Sequence, residues 1–197
     1  MIWVLIFFMS LVVHEVCHGL VAFSLGDPTA KQAGRLTLNP FKHIDLFWTI
    51  LMPLLMFSST QGRFAIGMAK PVPVNFNRLE HPKVDMIWVA LAGPFANLFL
   101  AGILRLFLEQ TAQPLLLYAI YFNLGLAVFN LIPIPPLDGS RVLAGLLPTP
   151  LSRAYLQVDR FGFIIILILY FTRVLFYLMT PGIDLLCNFL KVPSPFS

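Results

Sequence analysis

Two histidines and a glutamate, in His14-Glu15-Val16-Cys17-His18, stand inside an apolar run that extends from Ile2 to Leu25. On a helix, His14 and His18 fall one turn apart on the same face, a spacing that lets a ring nitrogen of each reach a single zinc ion. Glu15 lies beside them, suited to take a proton from a water at the metal rather than to bind the metal itself. Ionisable groups within a membrane span are costly unless something holds them, so the cluster marks a functional site. Cys17 reads as a small apolar filler.

A catalytic zinc site takes three protein ligands and keeps a fourth position for water. Asp27, Asp45, Glu80, Asp85, Glu109, Asp159 and Asp184 lie in loops or at segment edges, where solvation accounts for them. Asp138 differs. It ends the stretch Asn130-Leu131-Ile132-Pro133-Ile134-Pro135-Pro136-Leu137-Asp138, and three prolines in four residues must break the preceding helix. Broken backbone at membrane depth is tolerated where it is buried in protein or lines a wet cavity. A carboxylate there can turn inward as the third ligand, while Gly139 permits a tight restart. Alternatively, Asp138 is the N-cap of a helix from Gly139 to Leu147.

The elements that must position these groups are membrane elements. Of 197 residues, 58% are hydrophobic and 11% charged, with a mean hydropathy of +0.84. Soluble domains carry roughly 25% charged residues, so the composition predicts an α-helical polytopic membrane protein forming one domain over residues 1–197. The net charge of +4 belongs to loops facing an anionic leaflet, not to a nucleic-acid surface. Cys17 and Cys187 supply no disulfide framework. The first segment lacks a basic leader and a small-residue cleavage site, so it reads as a retained span.

Predicted spans cover residues 2–25, 86–108, 114–132 and 155–179, with an amphipathic tail at 183–190. The alternation Arg35-Leu36-Thr37-Leu38-Asn39 predicts a strand, and 64–66 and 71–75 read as strand and loop. Residues 46–57 are apolar but too few to cross a bilayer, which takes about twenty. If they re-enter on one face, the loops 26–45, 58–85 and 139–160 share a side carrying ten of the thirteen Lys and Arg residues. If they cross, the split is seven and six. The lopsided count fits the positive-inside rule and predicts a re-entrant segment and four true spans. It also places both termini on the non-cytoplasmic side. His43 and His81 read as interfacial or solvated, and Trp3, Trp48 and Trp88 as interface anchors.

The zinc motif, Ala92-Gly93-Pro94-Phe95-Ala96-Asn97 in a middle span, and Asn130 through Leu137-Asp138-Gly139 occur in an order that resembles the site-2 protease family of intramembrane zinc metalloproteases. The likeness covers nearly the whole chain and is closest to short prokaryotic members without a PDZ or CBS domain. It implies one zinc ion per chain, held by His14, His18 and Asp138, with Glu15 catalytic. It places Asn97 and Asn130 near the substrate and the developing oxyanion, although asparagines in lipid also serve as bonds between helices. It further implies that 33–75 form a membrane-associated β-structure, with 34–39 the edge that would pair with an unwound substrate. The implied substrates are single-span membrane proteins, cleaved within the bilayer towards the cytoplasmic side of the cell membrane. A zinc transporter is the rival, but it would show repeated halves or ionisable groups strung along a pathway.

Overall fold

The structure is a computed structural model and describes residues 2–59, 61 and 69–196. Among these, every regular element is helical. Helix α1 (Ile2–Ser24) carries the histidine pair. A one-turn helix α2 (Thr29–Gln32) and a 3-10 turn (Pro40–His43) follow. A π-helical stretch (Leu46–Leu51) then runs into α3 (Met52–Ser59). The long helices α4 (Pro82–Thr111) and α5 (Pro114–Leu131) lead to the shorter α6 (Asp138–Leu146) and α7 (Thr149–Leu156). Helices α8 (Gly162–Phe171) and α9 (Val174–Leu190) complete the chain.

Among the described residues, four stretches are long and apolar enough to cross a membrane: Val4–Ser24, Pro82–Thr111, Pro114–Leu131 and Thr149–Phe171. Their outward faces show large apolar side chains to the surroundings, such as Phe99 (73% exposed) and Phe171 (73%). That pattern suits lipid and not water. Helix α4 is the centre and packs against α1, α5 and α6. Ala22, Ala101, Ala119 and Ala127 are fully buried at these contacts. Small residues let helices approach where lipid gives no hydrophobic drive for association. Ala101 joins Ile120 and Leu124 of α5 and Ile183 and Cys187 of α9 in the main apolar cluster. By contrast Ser152 and Gly162 alone are buried in the α7–α8 stretch, so it stands at the periphery.

Four sequence expectations are not met. No strand forms among the described residues, so the β-structure over 33–75 is absent there; residues 64–66 lie outside them. In 35–39, side chains take up the backbone donors instead: Thr37 Oγ accepts from Asn39 N (3.2 Å) and Asn39 Oδ1 from Phe41 N (3.1 Å). Such local bonds compete with strand pairing. Leu36 packs onto α1 at Gly19, where an added Cβ would lie 2.7 Å from its Cδ2. The segment is therefore not an open edge.

The expected re-entrant segment at 46–57 finds no support either: residues 46–59 are helical without an internal turn. Pro53 falls inside this run, just after the change from π-helical to α-helical backbone. The predicted last span, 155–179, is divided at Thr172-Arg173. The Thr172 hydroxyl donates back to Ile168 O (2.7 Å), closing α8. Arg173 takes a left-handed conformation (φ 62°), and α9 then absorbs the predicted tail. His43 is fully buried rather than solvated, with a ring N–H donating to Thr37 O (2.9 Å). His81 is exposed, and Trp88 is 57% exposed.

An extended strap, residues 69–75, runs beside α1 and is pinned at intervals. Lys70 N donates to His43 O (2.8 Å), Val72 N to Glu15 Oε2 (2.9 Å) and Asn75 N to Asp27 Oδ2 (2.6 Å). Asp27 is fully buried and also accepts from Thr29 N (3.0 Å) and the Thr29 hydroxyl. Burial alone would raise its pKa. The bonds from Thr29 and Asn75, with Arg78 nearby, outweigh that and hold the carboxyl below its ordinary value.

Candidate metal centre

Helix α1 sets His14 and His18 on its buried face, with the two Nε2 atoms 3.0 Å apart. The third group arrives from α6. Asp138 is the first residue of that helix and Leu137 occupies the N-cap position, so the N-cap alternative does not describe it. Asp138 Oδ2 instead lies 3.1 Å from His14 Nε2 and 3.2 Å from His18 Nε2. Its approach depends on Gly139, where a Cβ would overlap the carbonyls of Leu131 and Ile132 at the end of α5. An ion pair from Arg141 to Asp159, and a bond from the Tyr155 hydroxyl to Pro133 O (2.7 Å), brace the turn on its other side.

Both rings are oriented from behind. His14 Nδ1 donates to Asn97 Oδ1 and His18 Nδ1 to the Val89 carbonyl, each at 2.6 Å. Because both partners are acceptors, the neutral rings carry their protons on Nδ1, and each Nε2 presents a lone pair. Two imidazole lone pairs and a carboxylate oxygen thus meet at 3.0–3.2 Å, and the buried Asp138 Oδ2 has no hydrogen-bond donor. Such a set repels itself unless a cation sits among it. Ligands on a tetrahedral zinc at about 2.0–2.1 Å would stand about 3.4 Å from one another, so the donor set fits zinc. Among the described residues it is the one His/Cys/Asp/Glu group of this kind; Cys17 does not join it.

The Ala92–Asn97 motif is legible as the back wall of this centre. Gly93 lets α4 lie against the rings: a Cβ there would come within 2.6 Å of His14 Cε1 and Nε2 and closer still to His18 Nε2. Pro94 lies inside α4 and cannot donate to Ala90 O. Asn97 supplies the oxygen that orients His14.

Asn97 therefore departs from its expected place near the oxyanion. It is fully buried, and its amide nitrogen is spent on Asn123 Oδ1 (2.9 Å) and Ser10 O (3.3 Å). It acts as a bond between helices, the alternative the sequence had left open. Asn123 and Ser10 went unread, because a single Asn or Ser in an apolar span carries no spacing signal.

Glu15 and Asn130 line one cavity together with His14, His18 and Asp138, of about 900 Å³. Its remaining walls are largely apolar, from α1, the strap, α5, α8 and the start of α9. Glu15 is half-buried, with one carboxylate oxygen held by Val72 N. Asn130 donates one amide proton to Leu126 O (2.9 Å); its other amide proton has no partner among the described residues.

The pattern of Peptidase family M50 matches residues 107–170. YwhC of Bacillus subtilis (strain 168), which carries a zinc-metalloprotease name, is 38% identical over 189 residues, covering 89% of this chain and 82% of YwhC. Rip2 of Mycolicibacterium smegmatis, similarly named, is 30% identical over 174 residues, or 85% of this chain and 65% of Rip2. Zinc metalloprotease MJ0392 of Methanocaldococcus jannaschii is 30% identical over 122 residues, covering 52% of this chain and 36% of that protein. No solved structure matches. With that similarity extending along most of the chain, and a donor set suited to zinc where the motifs converge, the chain belongs to the M50, or site-2 protease, family of zinc metalloproteases.

Proposed function

We propose that the protein is an intramembrane endopeptidase that cuts transmembrane segments of single-span membrane proteins. His14, His18 and Asp138 hold its zinc, and Glu15 is its general base. The observation that carries this reading is the convergence of three lone-pair donors and one separate carboxylate on a single, largely apolar cavity. Such walls suit the side chains of a membrane-spanning peptide.

When bound, zinc supplies a Lewis acid that polarises the scissile carbonyl and acidifies a water. Glu15 takes the proton from that water and returns it to the leaving amine nitrogen. Val72 N–H, fixed on one carboxylate oxygen, turns the other towards the cavity. The unpaired amide proton of Asn130 is available to the tetrahedral oxyanion, where a preorganised donor is worth about 3 kcal/mol. Asn97 keeps the His14 ring aligned. In this reading the centre lies towards the cytoplasmic side of the cell membrane.

Purified protein in lipid vesicles should cleave a co-reconstituted single-span substrate. A zinc chelator should stop cleavage, and stoichiometric zinc should restore it. Zinc flux across the vesicle wall without cleavage of any transmembrane peptide would instead identify a transporter. A second expectation concerns the strap. Val72→Pro removes the N–H bound to Glu15, a charge-assisted bond worth about 1.5–3 kcal/mol. Cleavage should then fall by about tenfold or more at unchanged zinc content, and undiminished turnover would show that Glu15 needs no such support.

A further inference from the structure

Behind His14 runs a chain of buried polar groups that joins three helices, and its donors and acceptors are dictated by fixed backbone carbonyls. The Ser10 hydroxyl donates to Ile6 O (3.1 Å), so its oxygen is free to accept. Asn123 Nδ2 donates to that oxygen (3.0 Å) and to Ala119 O (2.8 Å). The Ala119 carbonyl, an acceptor only, would not tolerate an amide oxygen in place of the nitrogen, so Asn123 has one orientation. Its Oδ1 then faces Asn97 and accepts from Asn97 Nδ2 (2.9 Å). Ser10, Asn97 and Asn123 are each at most 2% exposed, so no solvent competes.

An asparagine amide can be turned over with little change in shape, exchanging oxygen and nitrogen. In the observed orientation Asn97 Oδ1 accepts the His14 Nδ1 proton and the Nε2 lone pair faces Asp138. Turned over, Asn97 would offer N–H to Nδ1, the ring proton would move to Nε2, and that nitrogen could not bind a cation. Asn97 has two restraints against turning: a 2.9 Å bond to Asn123 and a longer one, 3.3 Å, to Ser10 O. We propose that Asn123 is a positioning residue that keeps Asn97 in one orientation and thereby selects the His14 tautomer able to hold the metal. This rests on the reading of His14 as a zinc ligand. His18 supplies an internal control, because its Nδ1 is bound to the Val89 carbonyl, which has no second orientation.

The test is Asn123→Leu, with Asn123→Ser as the smaller alternative should leucine not be accommodated. The ¹⁵N spectrum of histidine-labelled, metal-free protein is recorded at alkaline pH, and zinc affinity is measured by competition with a chelator. In the unchanged protein both His14 and His18 should show the Nδ1–H tautomer. In the variant His14 should acquire an Nε2–H population, His18 should not change, and zinc should bind about tenfold more weakly, the low end of the range for groups behind a metal ligand. Adding Asn97→Asp should restore the His14 tautomer, since a carboxylate offers oxygen to Nδ1 either way.

An unchanged His14 tautomer and zinc affinity in the Asn123 variants would overturn the proposal. So would a parallel change at both histidines, which reports general loosening of the helices. Failure of the unchanged protein to bind zinc would overturn the metal-site reading beneath it, an outcome separable from the other two.

Discussion

Glu15→Gln should retain one zinc per chain and lose cleavage of a transmembrane substrate by about 10²–10⁴-fold, the range contributed by a positioned general base. Zinc should stay because Glu15 is not among the three converging donors. The local fold should stay because glutamine still has an oxygen to accept from Val72 N–H, now 2.9 Å from the carboxylate. What disappears is the ability to take a proton at neutral pH, since an amide oxygen is far too weak a base. Metal analysis of the purified variant, beside cleavage measured in vesicles, separates the two effects. Loss of metal along with activity would make Glu15 part of the binding set. Cleavage within a few-fold of normal would assign the base to another group.

Gly93→Ala should do the opposite and abolish metal binding without touching a ligand. The added methyl would lie within 2.6 Å of His14 Nε2, so either the rings or α4 must move. The rings are tied from behind by Asn97 and Val89, and α4 is the helix against which α1, α5 and α6 pack. We expect zinc affinity to drop by at least the ~100-fold at the upper end of the range for groups supporting a metal ligand, with activity lost in consequence. Gly102 is the matched control. It lies in the same helix, and a Cβ there meets nothing within 4 Å. Gly102→Ala should leave zinc binding and cleavage intact and should favour helix by about 1 kcal/mol. Equal behaviour of the two variants in zinc titration and in cleavage would show that the close approach at Gly93 is not required.

The contrast between those glycines shows how far the sequence can be read. Helices 2–24 and 114–131 follow from long, predominantly apolar runs, and the break after Leu131 follows from proline chemistry, so their bounds agree with expectation. Residues 35–39 misled because alternation over five residues is weak when Thr37 and Asn39 can bond to their own backbone. The interruption at Thr172-Arg173 was hidden inside an apolar run. The burial of His43 depends on the strap returning at Lys70, a contact that no local pattern encodes.

The three candidate donors were already legible in the sequence. A four-residue spacing places two imidazoles on one helical face, and a carboxylate after a proline-broken span is the single acid whose surroundings call for a partner. Folding alone could decide which atoms of those groups face one another. That selection rests on Asn97, Val89, Gly93 and Asn123 from two other helices. Tautomer and ring orientation depend on acceptors that lie 71 to 83 residues away along the chain. Spacing determines only what a single helix can bring together.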